Sequence, residues 1–137
     1  MKQHSTLKTA LIVAALLALP VAQAATMTRD DYKAGKDRIS ADYKADKAAC
    51  APLAGNAKDV CVEEAKAKEK VARAELEYSY TGKPADQTKV MEVKAKTAYA
   101  VAKEKCDDLK DKDKDVCIKD AKAAEAKALA DIKMGKP

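Results

Sequence analysis

Lys58-Asp59-Val60-Cys61 returns 56 residues later as Lys114-Asp115-Val116-Cys117. The match continues downstream: Ala65-Lys66-Ala67 falls on Ala121-Lys122-Ala123, Glu69 on Glu125, Ala72 on Ala128, and Ala74 on Ala130. Ten of the nineteen positions from Lys58 to Leu76 are identical to their partners in Lys114 to Ile132. Upstream, Cys50 aligns with Cys106, Tyr43 with Tyr99, Lys47 with Lys103 and Leu53 with Leu109. An Ala- and Lys-rich chain produces Ala and Lys matches easily, but not Tyr and Asp-Val-Cys matches at one fixed shift. The chain is a tandem duplication, and a duplicated unit of this length is one supersecondary element.

The cysteines say what that element is. Eleven residues of continuous helix would hold Cys50 and Cys61 about 16 Å apart, at 1.5 Å per residue. A disulfide spans only about 4.4–6.8 Å between Cα atoms. Cys50 and Cys61 can therefore bond only if the chain reverses between them, where Pro52, Gly55 and Asn56 break the helical pattern. Four cysteines allow three connectivities, and the repeat favours Cys50–Cys61 with Cys106–Cys117. Each unit then reads as helix, turn, helix, stapled beside its turn. Closing a loop of this size contributes about 3 kcal/mol in the chain-entropy view.

Local signals place the helix ends. Thr28 followed by Asp31 is a capping-box start for the first helix. Asn56 with Asp59 is the expected cap of the second. Thr81-Gly82-Lys83-Pro84 ends the second helix and opens the third, with Asp86 near its start, and Gly135 stops the fourth. Between Cys106 and Cys117 there is no Gly or Pro, so there the turn rests on the repeat and on Asp as a capping residue. Met91, Ala95, Ala98, Ala102, Cys106 and Leu109 form one apolar stripe; Cys117, Ala121, Ala124, Ala128 and Ile132 form another. Tyr43 and Tyr99 each lie seven residues before a cysteine, and their rings are expected to cover Ala65 and Ala72, and Ala121 and Ala128, on the partner helix.

The chain's beginning reads differently. Residues 1–24 form a secretory signal peptide. Lys2 and Lys8 precede the apolar run from Ala10 to Leu19, Pro20 follows, and Ala22-Gln23-Ala24 is a small-x-small cleavage site. The run is too short for the ~20 residues a membrane-spanning helix needs, and no Cys follows it to carry a lipid. Cleavage after Ala24 leaves 113 residues with 25 basic and 22 acidic side chains, a net charge of +3 rather than +5, and no histidine, since His4 leaves with the signal. Export places all four cysteines in an oxidising compartment, which favours disulfides. The divisions are thus 1–24 signal peptide, 25–82 first helical hairpin and 83–137 second.

The core is thin. The mature part holds 14 Val, Ile and Leu residues, three Met, and neither Trp nor Phe. Against disorder, 61 of its 113 residues are Ala, Glu, Lys, Leu or Arg, the composition of long helices and coiled coils. The fold class is all-α: two tandem disulfide-stapled hairpins, four helices, arranged as a small bundle or an elongated pair.

Chemistry is restricted. Without histidine neither a Ser-His-Asp nor a Cys-His arrangement can be built, and the usual zinc sites lack ligands. The carboxylates sit among lysines rather than in an apolar pocket that could raise a pKa. Oxidoreductases place two cysteines two residues apart; here ten intervene. Asp111-x-Asp113-x-Asp115, flanked by Asp107 and Asp108, copies the first three ligand positions of an EF-hand loop, but Val116 stands for the required Gly and Lys122 for the closing Glu. Those aspartates are weak metal candidates. A net +3 spread through alternating Lys and Asp makes no basic patch for nucleic acid. No cofactor is expected, and no stable membrane insertion after cleavage. The reading is a non-enzymatic periplasmic protein of envelope interaction, structure or stress protection, with a protein partner or self-association. The runner-up is a cation-binding or redox-responsive periplasmic protein.

The run from Asp42 to Cys50, then Gly55-Asn-Ala-Lys-Asp-Val-Cys61-Val-Glu-Glu-Ala-Lys66, repeated around Cys106 and Cys117, resembles a group of small exported Ala/Lys-rich proteins of beta-proteobacteria. Some carry labels taken from the envelope protein TolA, whose long helical segment has a similar composition. The resemblance implies a periplasmic location and supplies no catalytic residue.

Overall fold

Long runs of Ala, Lys and Glu lose little side-chain entropy in a helix, and four helices result. The structure is a computed structural model and describes residues 27–135. It contains α1 (Arg29–Ala49), α2 (Gly55–Thr81), α3 (Pro84–Cys106) and α4 (Asp111–Lys133), with no strand among the described residues. The expected signal peptide lies outside them.

Most of the expected helix ends form as read. Thr28 caps α1: its side chain accepts from the Asp31 amide at 3.1 Å, and the Asp31 carboxylate accepts from the Thr28 amide at 3.3 Å. This reciprocal pair satisfies two amides that a helix start leaves without partners. Gly82, at φ +63, is the left-handed C-cap of α2, and Pro84 opens α3. Gly135, at φ +67, follows the end of α4.

Two expected caps do not form. The N-cap of α2 is Ala54 and that of α4 is Lys110, and neither start has a side-chain cap hydrogen bond. Asn56 falls two positions past the cap. Gly55 takes the left-handed φ of +56 that turns the chain into α2, so the Asn56 side chain is carried past the cap and its Nδ2 is buried without a partner. At the second turn the aspartates likewise cap nothing. Asp111 instead adopts φ +48 at the position equivalent to Gly55.

Both cysteine pairs are bonded as the repeat favours, Cys50 to Cys61 and Cys106 to Cys117, each with Cα atoms 5.7 Å apart. Short connections make consecutive helices antiparallel. Each helix packs only on its neighbours in the chain: α1 on α2, α2 on α3, α3 on α4. Of the two arrangements the sequence allowed, the closed bundle does not form, because α1 reaches neither α3 nor α4. The result is an open single layer with α2 and α3 in the middle and their seam the most extensive.

A single layer buries little. Among the described residues only Cys50, Ala65, Val90, Thr97 and Cys106 are buried, and Cys50 and Cys106 are each just 1% exposed. The half-cystines are therefore both staple and core. The expected α3 stripe needs correction for the same reason: Ala98 and Leu109 are exposed, while Val90 and Thr97, outside that stripe, are buried. An inner helix of a layer has two covered sides, and a one-stripe reading sees only one. The α4 stripe is half-buried except at Ala124, which is exposed.

Small residues bring the helices close. A Cβ on Gly35 of α1 would lie 2.7 Å from Cδ1 of Leu76 on α2. Tyr43 lines a cleft with Ala72, and Tyr99 lines the equivalent cleft with Ala121 and Ala128. The first hairpin adds a stack of Tyr32 on Tyr80, ring centroids 4.5 Å apart.

Candidate functional site

The residues singled out for chemistry are dispersed or already engaged. Asp111, Asp113 and Asp115 all lie exposed in the first turns of α4, and Asp107 and Asp108 lie exposed in the preceding turn. Successive odd positions of a helix point about 200° apart, so the three cannot close on one ion. Among the described residues no group of three or more Asp, Glu, His or Cys side chains is gathered in a way that could hold a metal. Asp107 instead pairs with Lys114 at 3.0 Å. All four cysteines are consumed in the two bridges.

The titratable groups with shifted pKa values are surface groups with ordinary partners. Hydrogen bonds from Thr28 hold Asp31 below the usual Asp range. A hydrogen bond donated to Glu77 raises Tyr32. Lys68 is raised by Asp46 across the α1–α2 seam, and Lys66 and Lys127 by acidic neighbours on their own helices. Each shift strengthens a charge or hydrogen bond already expected at pH 7. None produces a group poised to exchange protons near neutrality.

Charge instead organises the seams. Lys68 bridges to Asp46 at 2.8 Å between α2 and α1. Lys94 meets Glu75 at 2.6 Å and Lys105 meets Glu64 at 2.7 Å between α3 and α2. These pairs are solvated, and each contributes about 0–1 kcal/mol. Their value lies in register, since they fix which turn of one helix faces which turn of the next.

One surface feature escaped the sequence reading. A groove of about 470 Å³ runs along one side of the α2–α3 seam. Ala74, Val93, Thr97 and Ala100 floor it, and Lys70, Arg73, Lys89 and Lys96 rim it, with Glu77 the acidic member. Arg73 is held by Glu69 at 2.8 Å and by Ser40 Oγ at 3.0 Å. Thr97 spends its hydroxyl on the carbonyls of Val93 and Lys94. The signal was present as Lys70, Arg73 and Glu77 at helical spacing opposite Lys89, Val93, Lys96 and Ala100, but it becomes visible only when α2 and α3 are known to pair. Such a groove can receive an apolar body carrying negative charge.

No helix among the described residues is long and apolar enough to cross a membrane. Comparisons with protein-family models, curated proteins and solved structures found no match to this chain.

Proposed function

We propose that the chain is exported, loses residues 1–24 and acts in the periplasm as a non-enzymatic envelope protein, structural or protective under stress, that presents charged helical faces to protein partners. The observation that carries this reading is the open layer stapled by two disulfides, with both broad sides left in solvent and laced with Lys, Asp and Glu. Disulfides hold a domain whose core is too small to hold itself, and a layer exposed on both sides offers surface rather than an enclosed reaction site. The coiled-coil-like composition suits helices that accept other helices along their length.

Cross-linking in intact cells, followed by mass spectrometry of the tagged chain, tests the reading. The expected result is a processed chain beginning at Ala25, oxidised, and joined reproducibly to one envelope protein. A full-length cytosolic chain with free thiols overturns it.

A redox-responsive role has one observation in its favour: among the described residues Cys50 and Cys106 are the two side chains below 2% exposure, so reduction acts at the centre of the fold. Measuring the reduction potentials separates the readings. Structural bridges lie below about −300 mV, whereas a responsive pair sits higher.

A further inference from the structure

The α2–α3 seam has copies of its two halves on the outer edges of the layer. The repeat shift carries α2 onto α4 and α3 onto α1. Ala67, Val71 and Ala74, which line the α3 side of α2, correspond to Ala123, Lys127 and Ala130. All three are exposed. Val116, on the same outer side of α4, is 55% exposed. On the other half, Val90, Thr97 and Val101 of α3 correspond to Ala34, Ala41 and Ala45 of α1, which are also exposed.

The charges at these edges are complementary in the register the seam uses. Lys94–Glu75 bridges α3 to α2 at 2.6 Å; the equivalent residues are Arg38 on α1 and Asp131 on α4, the latter shared with Lys127 of its own helix at 2.7 Å. The second seam bridge, Lys105–Glu64, has no charged equivalent pair. Val93 and Glu77 line one groove across the seam; their equivalents are Asp37 and Lys133, again of opposite sign.

We propose that α4 of one copy receives α1 of a second copy, antiparallel and in the register of the α2–α3 seam, with Arg38 meeting Asp131 and Asp37 meeting Lys133. The contact is between two different edges. It therefore leaves one edge free at each end of a pair, and copies add edge to edge into a row. Alanines where α3 carries Val90 and Val101 bury less apolar surface than the internal seam, so the association is weaker and sensitive to salt. The inference goes beyond the envelope role and depends on the repeat alone, whatever compartment the chain occupies.

Sedimentation of the oxidised protein, purified from cells making the full chain, tests it. The average mass should rise past a dimer with concentration at low salt and fall when salt is added. Arg38→Glu and Asp131→Lys should each weaken association about tenfold, by placing like charges opposite. An equimolar mixture of the two should restore it, since both kinds of edge contact are then complementary. Ala123→Arg, on the exposed side of α4, should abolish association while leaving the helical circular dichroism unchanged. A monomer at all concentrations overturns the proposal. So does a species that stops at dimer, or association indifferent to Ala123→Arg.

Discussion

The two stapled turns share a backbone but not the residue that makes it easy. Ala51 donates to the Ala48 carbonyl and Leu53 to that of Cys50; 56 residues on, Asp107 donates to Glu104 and Leu109 to Cys106. Leu53 and Leu109 are both 42% exposed, Cys50 and Cys106 both 1%, and both bridges hold Cα atoms 5.7 Å apart. Yet the left-handed residue is Gly55 in the first turn and Asp111 in the second, the only non-glycine at positive φ among the described residues. Left-handed backbone costs an ordinary L-residue about 1–2 kcal/mol, somewhat less for Asp. A bridge and a duplicated register can thus hold a turn after its glycine is gone. The first hairpin also has packing the second lacks: the Tyr32–Tyr80 stack and the close approach of Gly35 to Leu76.

The sharpest way to break this comparison is to remove one bridge at a time. Cys106→Ser with Cys117→Ser should lower stability by about 3–5 kcal/mol in urea titrations followed by circular dichroism. Cys50→Ser with Cys61→Ser should cost less, about 2–3 kcal/mol, because Gly55 carries no backbone strain and the tyrosine stack remains. Equal losses would mean that the Asp111 strain has no weight.

Packing differs next. Gly35 and Leu76 correspond to Met91 and Ile132, so the hairpins divide the space between their helices differently. Gly35→Met should destabilise by about 1–3 kcal/mol despite the better helix propensity, since a Cβ alone already meets Leu76 at 2.7 Å. Thermal melts of this variant check it; a gain in stability would show that Leu76 moves aside freely.

Exchanging the turn residues gives a smaller effect of opposite signs. Asp111→Gly should stabilise the chain by about 0.5–1 kcal/mol, and Gly55→Asp should destabilise it by a similar amount. The same urea titrations measure both, and two changes of the same sign would remove the strain argument.

Acid supplies the smallest contrast. Thr28 holds the Asp31 pKa below 3.8. The stabilisation is therefore complete above the unfolded value and is lost as pH falls through the lower folded one. Amide exchange of Asp31 should quicken at about pH 2.5 relative to pH 5 beyond the ordinary pH dependence of exchange, while the uncapped starts of α2 and α4 show no such excess. In Thr28→Ala the excess should vanish.

Much of the fold was legible. The 56-residue shift exposed two equal units, the cysteine spacing required a reversal in each, and Thr28, Gly82, Pro84 and Gly135 marked ends that form as read. The misplaced caps at Asn56 and the second turn came from expecting a polar side chain where a left-handed backbone residue does the turning. The α2–α3 groove was invisible because Lys70 and Arg73 meet Lys89 and Lys96 only through a pairing the sequence leaves open.

By itself, then, the sequence determined the helices, the ends at Thr28, Gly82, Pro84 and Gly135, and the favoured pairing of the cysteines, because caps, breakers and cysteine spacing act over one or two turns of chain. Only the tertiary structure decided that the hairpins lie side by side in an open layer, which sides of α2 and α3 are covered, and that α1 and α4 keep an edge in solvent. Those outcomes depend on where two alanine-lined faces sit around the same inner helix. When they lie on roughly opposite sides, the next helix is carried away from the first, and a row forms where a bundle would have closed.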